Sequence, residues 1–521
     1  MKKATKFVIA ATLALIMTAC SKAEYKTTSG TIDIMPQIST SSNSTFETEN
    51  PKVDETVILD SEEKTDDELS KDNSVLQTNT DTSSKVETSS SSSSKVESST
   101  ASSSKTENLS SSSEAASKKP VSSSHSEVAS QPVKSSSSTD EEQNADNTVM
   151  NSVVSNGEMR AVWISYLDFN TLLKGKSEGE FRTNIKKAFS NITDLGMNTV
   201  IVQVRPFSDA LYYSDIFPIS HIVTGTEGVD PGFDPLKIMV DYAHSYGLEI
   251  EAWINPYRVR NSGTKAELSS ENPAKKWLDS GDLAVVSHKA GISYNPASDK
   301  AIQLIVDGVA EIVQNYDVDG IHFDDYFYPT TEQSFDSQTY AKYQSNGGSL
   351  SLANYRRENV NKLVRAVYSK IKSINPNVKF GISPQGNLEN NFDQQYIDVD
   401  KWLSNQGYVD YICPQIYFGF ENTKYPFAYT VKLWNDKIKV QGIELYIGMA
   451  PYKIGTEDKW AGEGKNEWIQ SSNTLQRMVL ESRKYSKCEG FFMYRYDSLI
   501  NPIQSVKNQV NTEIENLKKV L

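Results

Sequence analysis

From about residue 158 onward, two hydrophobic patterns alternate along the chain. The first is a set of short runs dense in Val, Ile and aromatic residues. They read RAVWISYL (160–167), NTVIVQVRP (198–206), LEIEAWINP (248–256), VDGIHFDD (318–325), VKFGISP (378–384), VDYICPQIYF (409–418), ELYIGMAP (444–451) and GFFMYRY (490–496). Their length and β-branched content predict strands. The second pattern has helical spacing and fills about 179–195, 234–246, 300–316, 351–374, 398–406, 426–440, 471–486 and 501–519. Eight strands, each followed by a helix, predict an α/β fold: a (β/α)8 TIM barrel over 157–521. The longest insertions follow strands two, three and four. All are βα loops, on the face where such barrels build their sites. An open doubly wound sheet is the alternative, but the Gly-rich phosphate turn it wants after an early strand is missing from the sequence.

Neither pattern holds before residue 150. Residues 21–150 are dominated by Ser, Thr, Asn, Lys and Glu, as in SSSSSSKVESSTASSSK. Large apolar side chains are too sparse there to offset the entropy of ordering, so a disordered Ser/Thr-rich linker is expected. About 130 residues of such chain reach roughly 60 Å as a flexible coil. Residues 1–20 differ again. Lys2, Lys3 and Lys6 precede a short apolar run, FVIAATLALIM, that ends in T-A-C at Cys20. The run is short for a membrane span. It resembles a bacterial lipoprotein signal peptide, which implies lipidation and cleavage at Cys20, with Met17 where such signals more often carry Leu. The expected location is extracytoplasmic, held to the cell membrane by that lipid anchor. An ordinary secretory signal is the alternative.

Composition removes several function classes. Hydrophobic content is 37%, low because the linker is averaged in, and the net charge is −14 from 53 Lys+Arg against 67 Asp+Glu. The chain shows no basic face, so nucleic acid is not an expected partner. After Cys20 only Cys413 and Cys488 remain, too few for a disulfide framework; buried thiols are expected, with a single bridge left open. The five histidines form no HExxH or close pair. There is no P-loop, and GISPQG lacks the spacing of a nucleophile elbow. No metal or cofactor is predicted, although a cation between Asp324 and Asp325 is a lesser alternative. Oligomeric state is open.

Strand period singles out candidate chemistry. In VDGIHFDD, Gly320, His322 and Asp324 share one face, while Ile321 and Phe323 share the other and suit the surrounding helices. His322 and Asp324 are therefore expected inside the barrel, with Asp324 at the C-terminal mouth. Asp325 starts on the opposite side, and either turns back into the cleft or anchors its loop. By the same rule Glu251, Trp253 and Asn255 face inward, as do Gln203 with Arg205, and Gln415 with Tyr417. The catalytic candidates are Asp324 and Asp325. The substrate-binding candidates are Arg205, Trp253, Asn255, Tyr257, Arg258, His322, Tyr326, Gln415 and Tyr417. Blander roles stand beside these: Arg205 as a partner of Asp324 or Glu251, Asn255 as a turn residue before Pro256, Trp253 as core filling and Tyr417 as a cap.

Taken in order, EMRAVWISY, GMNTVIVQVRPFSDALYYSDIFP, GFDPLKIMVDYAHSYGLEIEAWINPYR, YDVDGIHFDDYFYP and VDYICPQIYFG resemble the glycosyl-hydrolase-like 10 family of bacterial, often lipid-anchored proteins. The resemblance covers essentially all of 157–510. It implies a (β/α)8 barrel and a glycosidase-type role, with peptidoglycan glycan as the most favoured polysaccharide. DGIHFD is also similar to the fourth strand of alpha-amylase-type hydrolases, whose last Asp is the nucleophile and maps onto Asp324; His322 stands where those enzymes carry Arg. Glycoside hydrolysis usually needs two carboxyl groups. Strand five, FGISPQGN, lacks a Glu, which leaves Asp325 or Glu421 as the second. Adjacent acids are also similar to those of hydrolases in which the substrate's N-acetyl group attacks. A barrel that binds wall glycan without cutting it is the alternative from another class.

Overall fold

The computed structural model describes residues 157–521. The expected signal peptide, Cys20 and the 21–150 linker lie outside the described residues. Eleven strands are present among the described residues: β1 Met159–Ile164, β2 Thr199–Arg205, β3 Glu249–Ile254, β4 Arg258–Asn261, β5 Val285–His288, β6 Gly291–Tyr294, β7 Gly320–Phe323, β8 Lys379–Ile382, β9 Tyr411–Ile412, β10 Glu444–Met449 and β11 Cys488–Met493. Eight of them close a parallel barrel in the order β1-β2-β3-β7-β8-β9-β10-β11, with β11 returning to β1. All eight predicted barrel strands are these. β9 is only two residues long, because Pro414 has no N–H for the ladder. Gln415 then rejoins its neighbours through isolated bridges to Gln385 and Gly448.

The predicted helices are also present, among them Glu178–Asp194, Pro235–Ser245, Asp299–Asn315 and Leu352–Ile374. Ser298 caps Asp299–Asn315 by accepting from the Ala301 N–H. Ile302, Ile305, Val306, Val309, Ile312 and Val313 recur at helical spacing and are all buried. Each such side chain contributes roughly 1.5–3 kcal/mol on burial. The insertion after β3, which the hydrophobic pattern marks only as a βα loop, folds into a small antiparallel sheet, β4-β6-β5. Its strands have four residues each, too few for period two to stand out.

There are two apolar layers. Val200, Val202, Val204, Ile250, Ile254, Ile321 and Phe323 face the helices. Met159, Ala161, Trp163, Ile201, Trp253, Tyr411, Cys413, Tyr446, Phe492 and Tyr494 fill the barrel interior. Cys413 is buried, Cys488 only half-buried, and both thiols are free. Among the described residues no helix is long and apolar enough to cross a membrane.

Candidate functional site

The site begins with the register of β3 against β7. Trp253 pairs with His322 and Ile254 with Phe323, so Asn255 and Asp324 leave the ladder side by side at the C-terminal mouth. Asp324 Oδ2 accepts from Trp253 Nε1 at 3.1 Å and Asn255 Nδ2 at 2.6 Å. Its Oδ1 accepts from the Tyr326 N–H at 3.2 Å. Gln203 orients Asn255: its Nε2 donates to Asn255 Oδ1 at 2.7 Å, and its Oε1 accepts from the Tyr166 N–H. Asn255 thus presents its amide nitrogen to the carboxylate.

Asp325 uses the other side of the mouth. Its Oδ2 accepts from Gln395 Nε2 and its Oδ1 from Gln415 Nε2, both at 3.3 Å. Gln415 is itself fixed by donating to the Ser383 carbonyl at 2.9 Å. The two neighbouring acids are therefore held by different walls, Asp324 toward β3 and Asp325 toward β8 and β9. Both are nearly enclosed, 3% and 8% exposed.

His322 lies one layer deeper and is fully buried. Trp163 Nε1 can only donate, and it donates to His322 Nε2 at 3.3 Å. Burial holds the imidazole down at about 3, from an ordinary 6.5, so the ring is neutral. The proton is then on Nδ1 and is donated to the Tyr411 hydroxyl at 2.7 Å; Tyr411 in turn donates to Glu251 Oε2. Burial pushes the Glu251 carboxyl up to about 8. The 3.9 Å approach of Glu251 to His322 is thus between two neutral groups, not an ion pair. Gly320 makes room for this chain: a Cβ there would lie 2.6 Å from Glu251 Oε1.

Three substrate-binding candidates are displaced from that role. His322 points into the barrel as expected, but its full burial leaves no surface for a ligand. Tyr257 is 1% exposed and packs edge-on to Phe327 in the outer layer. Arg205 does not face the mouth. Pairing of β2 with β3 slips between Gln203 and Arg205, so that Arg205 lies opposite Ile254. The bulge turns it to the outer face with Val204. There its guanidinium stacks on Phe217, 4.4 Å from the ring centre, against the bare Cα of Gly308. Glu421, the other candidate for a second carboxyl, is on an exposed loop, its backbone N–H bonded to Glu467.

The remaining candidates line the mouth. Arg258 is half-buried, donates to the Pro206 carbonyl at 2.9 Å and lies over the rings of Tyr326 and Phe207, at 4.8 and 4.9 Å. Tyr417 stacks on Tyr494 and meets Tyr452 edge-on. Gln203, Gln395, Tyr452 and Tyr494 were not among the sequence-predicted site residues. Gln203 lies on the inward face predicted for Arg205; Gln395 sits in a loop with no period to mark it. Asp168 closes the first and last strands together, pairing with Arg495 and accepting from Ser165.

One group of potential metal ligands occurs among the described residues: Asp209, His221 and Glu227. Arg260 Nη2 bonds both carboxylates there, and Asn272 and the Ser269 N–H donate to Glu227. These partners make it a buried ion-pair cluster that ties the β2 loop to β4.

The family model described as Glycosyl hydrolase-like 10 matches residues 158–463. The chain is 33% identical over 380 residues to "Glycosyl hydrolase YngK" of Bacillus subtilis (strain 168), covering 69% of this chain and 72% of that protein. It is 36% identical over 332 residues to "Glycosyl hydrolase DigH" of Escherichia coli (strain K12), covering 59% of this chain and 74% of that protein. Among solved structures, the PgaB (BpsB) glycoside hydrolase domain from Bordetella bronchiseptica aligns with a TM-score of 0.46 at 12% identity, over 68% of this chain and 99% of that one.

Proposed function

This chain belongs to the glycosyl hydrolase-like 10 family, and from that premise we propose that it is a cell-surface glycoside hydrolase acting on glycan strands, with peptidoglycan as the favoured substrate. The observation that carries the reading is the convergence of Asp324 and Asp325 at one barrel mouth, each gripped by side-chain amide or indole donors from neighbouring walls. Such a pair suits substrate-assisted hydrolysis of an N-acetylated sugar. The acetamido oxygen attacks the anomeric carbon. Asp324, an acceptor of three N–H bonds, takes the acetamido N–H and orients the group. Asp325 gives its proton to the departing glycosidic oxygen, then takes one back from the water that opens the cyclic intermediate. Asn255 and Trp253 hold Asp324 in place, and Arg258, Tyr326 and Tyr417 bind sugar. The signal-like residues 1–20 ending at Cys20 and the Ser-rich composition of 21–150 support a barrel held outside the cytoplasm by a lipid anchor.

The test is incubation of the protein with purified peptidoglycan glycan strands, with and without stem peptides, and product analysis by mass spectrometry. Wild type is expected to release shorter glycans. Asp325→Asn, still folded by circular dichroism, is expected to lose at least about 100-fold in rate. Full activity of that variant removes the two-acid mechanism. Binding without any cleavage by wild type turns the reading to a glycan-binding wall lipoprotein.

A further inference from the structure

The loop between β10 and the helix Thr474–Ser482 lies on the same C-terminal face as Asp324. At its turn stands Trp460, 67% exposed, the most exposed large apolar side chain among the described residues. An indole left in water forgoes a large burial gain, and here the loop beneath it is braced to keep it out. The Asp458 carboxylate is buried and accepts from Lys453 Nζ at 2.9 Å and from the Trp460 N–H at 3.3 Å. The Asp458 N–H donates to the Lys465 carbonyl at 2.9 Å, and the Ala461 carbonyl accepts from the Thr423 N–H at 3.1 Å. Lys453 also donates to the Tyr417 carbonyl at 2.8 Å. Tyr417 stacks on Tyr494 with rings 28° apart. One bonded unit thus carries both the aromatics of the mouth and the exposed indole.

We infer that Trp460 is a sugar-stacking platform that extends the mouth, receiving a pyranose ring of the glycan other than the one cut at Asp324 and Asp325. A flat indole matches the apolar C–H face of a pyranose while leaving its equatorial hydroxyls in water. The occupant is a glycan chain because the pedestal is continuous with the mouth. The inference rests on the glycan-directed reading of that mouth, and it makes the site selective for long strands.

The experiment uses the full chain carrying Asp325→Asn, so that strands bind without being cut, and peptide-free peptidoglycan glycan strands as the probe. Adding Trp460→Ala is expected to weaken strand binding about tenfold, which is about 1.4 kcal/mol, and Trp460→Tyr to restore most of it. In the cleaving protein, Trp460→Ala raises KM for long strands with kcat kept within about twofold. Unchanged strand affinity in the alanine variant overturns the platform, while cleavage by wild type keeps the hydrolase reading alive. Absence of any strand binding by the parent overturns the platform as well. Loss of strand binding on Trp460→Ala, in a wild type that cuts nothing, keeps the platform and sinks the hydrolase. Loss of binding to phosphatidylglycerol vesicles alone, with strand binding intact, makes the occupant a membrane and overturns the inference.

Discussion

Two layers of the barrel interior are built from the same two strands. In β3, Glu251 and Trp253 stand two residues apart on the inward face; His322 of β7 and Asp324 just past its end do the same. The lower layer pairs Glu251 with His322 through Tyr411, and burial makes both neutral: the acid is pushed up to about 8 and the base held down at about 3. The upper layer sets Asp324 at the mouth under donors from Trp253, Asn255 and the Tyr326 N–H. One step of the pleat separates a carboxyl that burial pushes up from one gripped by N–H donors at the mouth. Both acids are almost fully enclosed, 1% and 3% exposed, so partners decide the role: Glu251 meets one phenol, whereas Asp324 accepts from an indole, an amide and a backbone N–H.

The largest expected effect separates the two acids. Asp324→Asn is expected to lower kcat about a thousandfold, whereas Glu251→Gln, which keeps the acceptor for Tyr411, leaves kcat within about threefold. Equal losses in steady-state assays would mean the layers act as one unit.

The next effect is on stability against pH. Glu251 is raised in the folded state, from 4.5 to about 8. Its stabilising contribution is complete below pH 4.5 and is lost as pH climbs to 8, because the unfolded chain ionises first, by up to about 1.4 kcal/mol per pH unit. His322 is lowered, from 6.5 to about 3, so its contribution is present above pH 6.5 and is lost as pH falls toward 3. Glu251→Gln is expected to flatten the alkaline limb of Tm against pH, gaining about 5 °C on wild type between pH 5 and 8, and to leave the acid limb alone. A wild-type limb that parallels the variant's would show that Glu251 is ionised in the fold.

The smallest effect separates two arginines. Arg258→Met is expected to raise KM for glycan by roughly tenfold, a change of about 1.4 kcal/mol in binding. Arg205→Met should leave KM unchanged and alter only stability, by about 1–3 kcal/mol. A KM change for Arg205→Met, read beside its denaturation midpoint, would return that residue to the mouth.

The eight-strand barrel was legible in the chain because each strand and helix carries its own period, 2 or 3.6, against one shared core. The inward placement of Trp253, Asn255, His322, Asp324 and Gln415 followed from the same alternation. Alternation failed at Arg205, where one extra residue in a strand inverts the face without leaving a mark in composition. It was silent on Tyr257, whose neighbour Pro256 opens a small sheet of four-residue strands. Gln395 and the Trp460 pedestal have no local signature, since their positions depend on bonds between loops distant in sequence.

The architecture, the family and the pair of acids at the end of the fourth barrel strand are legible in the chain alone, because these rest on short-range periodicity and contiguous motifs. Folding set the rest: the two acids are gripped by opposite walls, His322 and Glu251 are neutral, and Arg205 faces outward. Those outcomes depend on depth from solvent and on strand register, which arise only when segments far apart in the chain are brought into contact.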